Sequence, residues 1–345
     1  MKAIITGTGT CFPDRVVTNE EIADRIGLDP EQIFKSSGIR RRRWADAGTP
    51  ASSLAATALS MALKDASLEP AAVDYLLFGT MTPDRFIPGS APSIQLALGL
   101  REIPCLDIRA ACCNALYGLQ LARAMITSGS ATNVAICLAE VQSLFLDLSP
   151  ASGTLSMLFG DGASAIIVSG DESIARANYQ IPPIEIADVF LATDGKYLDD
   201  LGIRSPGSEF GAIGTRSLPN NAADYFPRMN GSSVILQASR RLVAGARTVL
   251  ERNNLTASDV RWIVPHQANA NLLAQVSRGL GVATDDDRMI SVLEETGNTS
   301  SASMGIALDS LRRSEKICPG DYMLMPAFAA GFTWGAALCQ ATEQM

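Results

Sequence analysis

The stretch LEPAAVDYLL at residues 68–77 returns as LTASDVRWIV at residues 255–264. Leu68 matches Leu255, Val73 matches Val260, and the apolar run Tyr75-Leu76-Leu77 matches Trp262-Ile263-Val264. In each copy a helix precedes and a short apolar strand follows, a run that suits a strand buried on both faces. The order persists downstream: Gly118-Leu119 with Leu121 answers Gly305-Ile306 with Leu308, and each copy then runs into an apolar strand, at 133–138 and 321–325. Single matches arise by chance in a chain rich in Ala, Leu and Gly, but preserved order favours duplication. The expected architecture is α/β, with two halves related by a pseudo-twofold axis, 1–170 and 171–345. Residues from 171 to about 229, with Pro182-Pro183, several glycines and Pro219-Asn220-Asn221, read as an irregular cap or insertion.

Composition narrows the function classes. The chain has 345 residues, 47% hydrophobic and 19% charged, with a net charge of -8. That balance excludes a disordered protein and disfavours a sequence-independent grip on nucleic acid, which needs a basic surface. No run of apolar residues is long enough to span a bilayer, so no membrane association is expected. The opening MKAIITGTGTCFP meets Gly and Thr too early for a signal peptide and reads as a strand and turn. Seven cysteines are scattered without a C-x-x-C pair, which fits reduced thiols in a cytoplasmic protein. One histidine, His266, leaves little material for a metal site, and none is expected.

The repeat aligns position 112 with 299, beside Asn298, and so brings Cys112 and Asn298 together at strand-to-helix turns, where α/β folds build sites. The run Asp107-Ile108-Arg109-Ala110-Ala111-Cys112 passes from strand to helix. A cysteine in a first helical turn meets unpaired N–H groups and the positive end of the dipole, which favour thiolate. An inert packed cysteine is the competing reading, and Cys113 competes for the role. His266, in Val264-Pro265-His266-Gln267-Ala268-Asn269, is either a structural histidine or the chain's only imidazole for acid–base work. Asn298 alone reads as a turn or cap; beside the other two it is an oriented amide donor.

Five motifs now stand in order: Ile108-Arg109-Ala110-Ala111-Cys112, Phe159-Gly160-Asp161-Gly162-Ala163, Pro265-His266-Gln267-Ala268-Asn269, Gly297-Asn298-Thr299-Ser300 and Gly331-Phe332-Thr333-Trp334-Gly335, with Gly38-Ile39-Arg40 upstream. Through them the chain resembles, from Met1 to Met345, the β-ketoacyl-acyl-carrier-protein synthase III family of condensing enzymes. The resemblance implies a thiolase-like fold, five layers in the order αβαβα, and a Cys112, His266, Asn298 site. Cys112 takes an acyl group from a thioester; His266 and Asn298 stabilise the enolate left when a malonyl-type thioester loses CO2. It further implies an oxyanion hole from the backbone N–H groups of Cys112 and Ala330. Phe328, Gln267, Ala268, Asn269, Phe159, Asn230, Gly231 and Arg40 would contact substrate. Arg278 would contact an acyl carrier protein. A homodimer is implied, with acyl-CoA or acyl-carrier thioesters as substrates and no metal or redox cofactor.

Departures from the family pattern carry information. Gln32, Ser36 and Ser152 stand where acetyl-CoA-using members clamp the adenine with Trp and Arg, which points away from simple acetyl-CoA as donor. Asn114-Ala115 replaces Gly-Phe and suggests a larger acyl pocket. Ala330 can serve as an oxyanion donor only with negative φ. Asn271 replaces a carrier-contacting arginine. Arg40 to Arg43 offers a phosphate or carrier contact, or merely a salt-bridged loop. The rival activities are joining of long or β-keto acyl chains without decarboxylation, and thioester hydrolysis by Cys112 and His266.

Overall fold

The computed structural model describes residues 1–170, 181–208, 222–283 and 286–342. Its layering follows from strands with two apolar faces. Every residue of Asn133–Glu140 is buried: Val134, Ile136 and Leu138 enter one core, while Ala135, Cys137 and Ala139 enter another. Such a strand needs helices on both sides.

Nine strands form the main sheet: β1 Ile4–Cys11, β2 Tyr75–Gly79, β3 Cys105–Ile108, β4 Asn133–Glu140, β5 Gly162–Ser169, β6 Ile184–Thr193, β7 Val260–Ile263, β8 Tyr322–Ala329 and β9 Thr333–Ala341. Their order is β7-β8-β9-β6-β1-β5-β4-β2-β3. Read outward from the β1–β6 seam, the two sides repeat: an antiparallel pair, another antiparallel pair, then a parallel one. Where β3 has no full counterpart, Ile263 makes a parallel bridge to Met289. The seam itself is only Ile4 with Glu185 and Ile5 with Ile184, so the two sides can fold over one another.

Five helices complete the layers: α1 Ala51–Asp65, α2 Asn114–Thr127, α3 Gly231–Arg252, α4 Ala270–Leu280 and α5 Ser303–Arg313. α2 and α5 lie in the core between the two sides of the sheet, α1 covers one outer face, and α3 with α4 cover the other. The result is the expected thiolase-like five-layered α/β fold. Among the described residues no helix is long and apolar enough to cross a membrane.

Two expectations need correction. The stretch 171–229 is not irregular throughout, because Ile184–Thr193 is β6, beside the seam. Pro182 and Pro183 precede the strand and mark its start, a place that tolerates a missing N–H. Pro219-Asn220-Asn221 lies outside the described residues. The repeat also changes register. It holds at β2 and β7, where Leu76 and Ile263 pair with corresponding positions of β4 and β8. At the helices it is off by two residues: the left-handed residues Ala111 and Ser300 occupy the same place, opening the turns Ala111–Cys113 and Ser300–Ala302 before α2 and α5. Cys112 therefore corresponds to Ser301.

α1 docks on β1 through its small face, Ala55, Ala58 and Ala62. A Cβ on Gly7 would stand 2.3 Å from the Ala62 carbonyl and 2.7 Å from the Ala66 backbone nitrogen. Backbone cannot yield as a flexible side chain can. Gly7→Val should destabilise the fold by about 1–3 kcal/mol or more; an unchanged denaturant midpoint would contradict this packing.

Candidate active site

Two turns meet between the sheets. Ala111–Cys113 ends the path from β3, and Asn114, the first residue of α2, accepts a 2.6 Å hydrogen bond from the Ala110 N–H through its Oδ1. Asn114 thus braces the turn. Opposite, Asn298 is held by its backbone: its N–H donates to the Leu158 carbonyl at 2.8 Å, and its carbonyl accepts from Gly160 N–H at 3.1 Å. A Cβ on Gly160 would lie 2.2 Å from the Thr296 carbonyl, so only glycine permits this approach. Asp161 anchors the same segment by accepting from Ala45 N–H at 2.7 Å and Ser143 N–H at 2.9 Å.

Cys112, His266 and Asn298 all line one cleft of about 330 Å³, together with Phe159, Phe328 and Met229. Cys113 does not; it is buried, with its sulfur 3.5 Å from the Thr333 carbonyl. The Asn298 Oδ1 accepts from Ser300 N–H at 2.9 Å, which directs its NH2 group away from that contact as a free donor. His266 follows β7 and is pinned by its N–H to the Pro326 carbonyl at 2.9 Å. Its Nδ1 lies 2.7 Å from Ser303 Oγ, which also accepts Gln267 N–H at 3.2 Å. Donation by the Ser303 O–H to Nδ1 would leave the ring proton on Nε2, the tautomer that a donor role at Nε2 requires.

Burial sets the protonation states. It holds His266 down at about 4, so the ring is neutral at physiological pH. It pushes Cys112 up to about 11, with the Ser300 hydroxyl, 3.4 Å from the sulfur, pulling partly the other way. The expected depression of this thiol is thus reversed: Cys112 sits in a short turn ahead of α2, and loss of solvent outweighs the donors around it. Glu140, at the end of β4, is raised to about 7 by burial despite accepting from Met81 N–H at 3.0 Å and Thr82 Oγ1 at 3.0 Å. Its negative form disfavours a Cys112 thiolate further.

Several expected contacts fall elsewhere. Ala268, Asn269 and Gly231 line the cleft, and Asn269 also caps α4 by accepting from Leu272 N–H at 2.9 Å. Gln267 does not line it; its amide is consumed by the Pro265 and Ile290 carbonyls and the Val292 N–H. Asn230 caps α3 and bonds Asp200. Arg40 pairs with Glu294 at 2.6 Å and Arg41 with Glu295 at 2.8 Å. Arg42 is fully buried on Asn19 and the Met157 carbonyl, and Arg43 donates to the Asp14 carbonyl. Arg42 is therefore a structural brace, while Arg40 and Arg41 are half-exposed and held in surface ion pairs. Ala115 is buried in the central core and does not line the cleft, so it does not enlarge an acyl pocket. Ala330 is absent from the residues with positive φ, but it borders a different cavity, while Ala329 borders the cleft. Arg278 is exposed in the last turn of α4. Ser36 and Asn271 stand at the cleft, bonded to one another through the Asn271 Nδ2 and the Ser36 carbonyl at 2.9 Å, whereas Gln32 is exposed off it and Ser152 donates to Asp147.

Ser300, Ser303 and Glu140 were not singled out by sequence reasoning. The two serines lie in a Ser-rich turn where any one could be a cap. Glu140 had a usable signal, a lone carboxylate closing an apolar strand, NVAICLAE.

Comparisons with known proteins show the family and the fold. Residues 106–182 match the 3-oxoacyl-[acyl-carrier-protein] synthase III family and residues 250–341 match its C-terminal region. Residues 38–143 match the N-terminal domain of thiolase. The chain is 34% identical over 335 residues to beta-ketoacyl-[acyl-carrier-protein] synthase III 3 of Streptomyces coelicolor, covering 97% of this chain and 96% of the relative. The crystal structure of the Pseudomonas aeruginosa 3-oxoacyl-(acyl carrier protein) synthase III superposes with a TM-score of 0.85 at 30% identity, covering 99% of each chain. The priming β-ketosynthase of a polyketide pathway superposes at 0.84 and 30% identity, covering 99% of this chain and 96% of that one.

Because the chain has one histidine, ¹⁵N-imidazole NMR reads His266 without assignment. The ring should stay neutral from pH 8 to 5 and protonate only near pH 4. The sign for stability follows. A folded value below the unfolded one of about 6.5 gives stability that is full above pH 6.5 and lost as pH falls toward 4. Ser303→Ala should mix the two neutral tautomers; a pure Nε2–H spectrum in that variant would remove Ser303 from the orienting role.

Proposed function

Since the chain belongs to the 3-oxoacyl-[acyl-carrier-protein] synthase III family of acyl-transferring, carbon–carbon bond-forming condensing enzymes, we propose that Cys112, His266 and Asn298 carry its chemistry. The observation that supports this most is their convergence on one apolar cleft, with a neutral imidazole and an amide NH2 as donors.

In the first half-reaction Cys112 attacks an acyl thioester. The new carbon–sulfur bond replaces the old one, and the cysteine proton leaves with the departing thiol. No net base is consumed, so a thiol with a raised pKa is compatible with exchange. In the second, a malonyl-type thioester loses CO2 and its carbonyl oxygen takes the negative charge as enolate. His266 Nε2–H and the Asn298 amide are donors for that oxygen in a site with little water, where each such bond is worth about 2.7–4 kcal/mol in the transition state. The enolate carbon then attacks the acyl-cysteine carbonyl, the acyl carbon–sulfur bond breaks, and the released Cys112 thiolate takes a proton from water. The sequence of steps needs no metal or redox cofactor. A neutral imidazole suits the role better than an imidazolium, which would stabilise the starting carboxylate.

The donor is delivered by an acyl carrier protein in preference to CoA. Ser36, Thr154, Ile235, Asn271 and Gln275 border the cleft, and none offers a guanidinium or a flat ring to an adenine nucleotide. Arg278 supplies an exposed cation to an acidic carrier. Assembly as a homodimer fits the edge strand β3, where Leu106 is exposed, and the neighbouring Phe86 and Ile87, exposed at 78% and 79%. A cytoplasmic setting accords with seven free thiols.

Intact-protein and peptide mass spectrometry after exposure to an acyl thioester should place the adduct on Cys112, and an adduct on Cys113 would sink the assignment. His266→Ala should leave that acylation measurable while lowering malonyl decarboxylation at least about a hundredfold. Release of free acid in place of a β-keto product would mark a thioesterase instead. With one acyl group on both supports, kcat/KM should favour the carrier over CoA by tenfold or more; equal values would overturn the argument from the cleft mouth.

A further inference from the structure

A second cavity, of about 390 Å³, lies on the other side of the nucleophile turn. Ala110 and Ala111 border it, as do Ala330 and Gly331, so its wall is the backbone next to Cys112. The partition between cavity and cleft is a two-residue ribbon in which Leu201 pairs with Met229 and Gly202 with Arg228. Successive residues of a strand point to opposite sides: Met229 borders the cleft and Arg228 the second cavity, while Leu201 borders both.

The charge here is unlike that of the chain. Among the described residues, Arg109, Arg204 and Arg228 line the cavity against a single lining carboxylate, Asp199, in a protein of net charge -8. Arg204 pairs with Asp199 at 2.8 Å and Arg228 with Asp224 at 2.7 Å. Arg109 makes no ion pair or side-chain hydrogen bond among the described residues. Met81, Leu198 and Ile203 supply apolar wall between these cations. A plain alkyl chain has no use for a guanidinium, whereas a carboxylate can take two parallel N–H bonds from one. Arg109 lies three positions before Cys112, at most about 10 Å of extended backbone, a span on the scale of a short dicarboxylic chain.

We propose that this cavity receives the anionic end of the acyl group, so that the preferred donor is a monothioester of a dicarboxylic acid, with its free carboxylate held by Arg109 beside Arg228. This rests on the assignment of Cys112 as the acylated residue. The methylenes run past Leu201, which borders both spaces, and the carboxylate makes its guanidinium contact in the second cavity. Asp199 and Asp224 keep the flanking arginines oriented and hold the local charge low enough for a single carboxylate.

The test uses pantetheine thioesters of adipic and hexanoic acid, which match in chain length and need no carrier. Single-turnover acylation of Cys112, followed by mass spectrometry, should be faster with adipoyl by about tenfold or more. Arg109→Met should lower the adipoyl rate at least about tenfold more than the hexanoyl rate, with Arg109→Lys recovering part of the difference. A hexanoyl preference in the native protein, or equal losses for both donors in Arg109→Met, overturns the proposal and leaves the condensing site intact. Absence of any adduct on Cys112 with either donor overturns the underlying assignment as well. A change of solution mass in Arg109→Met, with both rates reduced alike, assigns Arg109 to a subunit contact and likewise overturns it.

Discussion

Two helix-opening turns, Ala111–Cys113 and Ser300–Ala302, are pressed together in the central core between the two sides of the sheet, and the site depends on that meeting. Each turn begins with a residue in the left-handed region, Ala111 at φ 48 and Ser300 at φ 48. A residue without glycine's freedom is held there only where its surroundings leave no alternative. Here they are α2 and α5, packed into one core against both sides of the sheet. Cys112 and Asn298, far apart in the chain, share a cleft because neither helix can move without opening that core.

Burial then decides the chemistry. Charge is expensive in such a place, so the lone imidazole is neutral and the thiol is protonated. What the site offers is oriented hydrogen-bond donors in little water, which suits a reaction whose negative charge appears on a carbonyl oxygen during the step itself. Glu140 follows the same rule, raised to about 7 by burial although its neighbours donate: the Met81 N–H, the Thr82 hydroxyl and the Gln142 amide. It joins the loop after β2 to the floor of the site.

The fold was legible because strand burial leaves a mark on composition. Tyr75-Leu76-Leu77 and Trp262-Ile263-Val264 sit at matching positions of matching strands, and apolar runs of that kind survive divergence because both faces must stay dry. The helices were misaligned by two residues, since the loops that feed them bury nothing in common and Gly118 and Gly305 match anywhere in a small-residue helix. Ile184–Thr193 was hidden by the prolines before it. Arg40 to Arg43 read as a basic patch because sequence lists charges without their partners; Glu294 and Glu295 are far off in the chain and adjacent in space. Gln267, a substrate contact by the family resemblance, has its amide spent on closing a loop.

By itself the sequence determined the α/β plan and, through its ordered motifs, the family membership; Cys112, His266 and Asn298 stood together as what that resemblance implies. The plan rests on periodicity and the membership on motifs in a fixed order. Only the tertiary structure decided which cysteine lines the cleft, that His266 is neutral and braced by Ser303, that Cys112 is raised and not lowered, and that Arg109 borders a separate cavity. Each of those depends on distance and desolvation between residues remote in the chain, and neither quantity is written in local order.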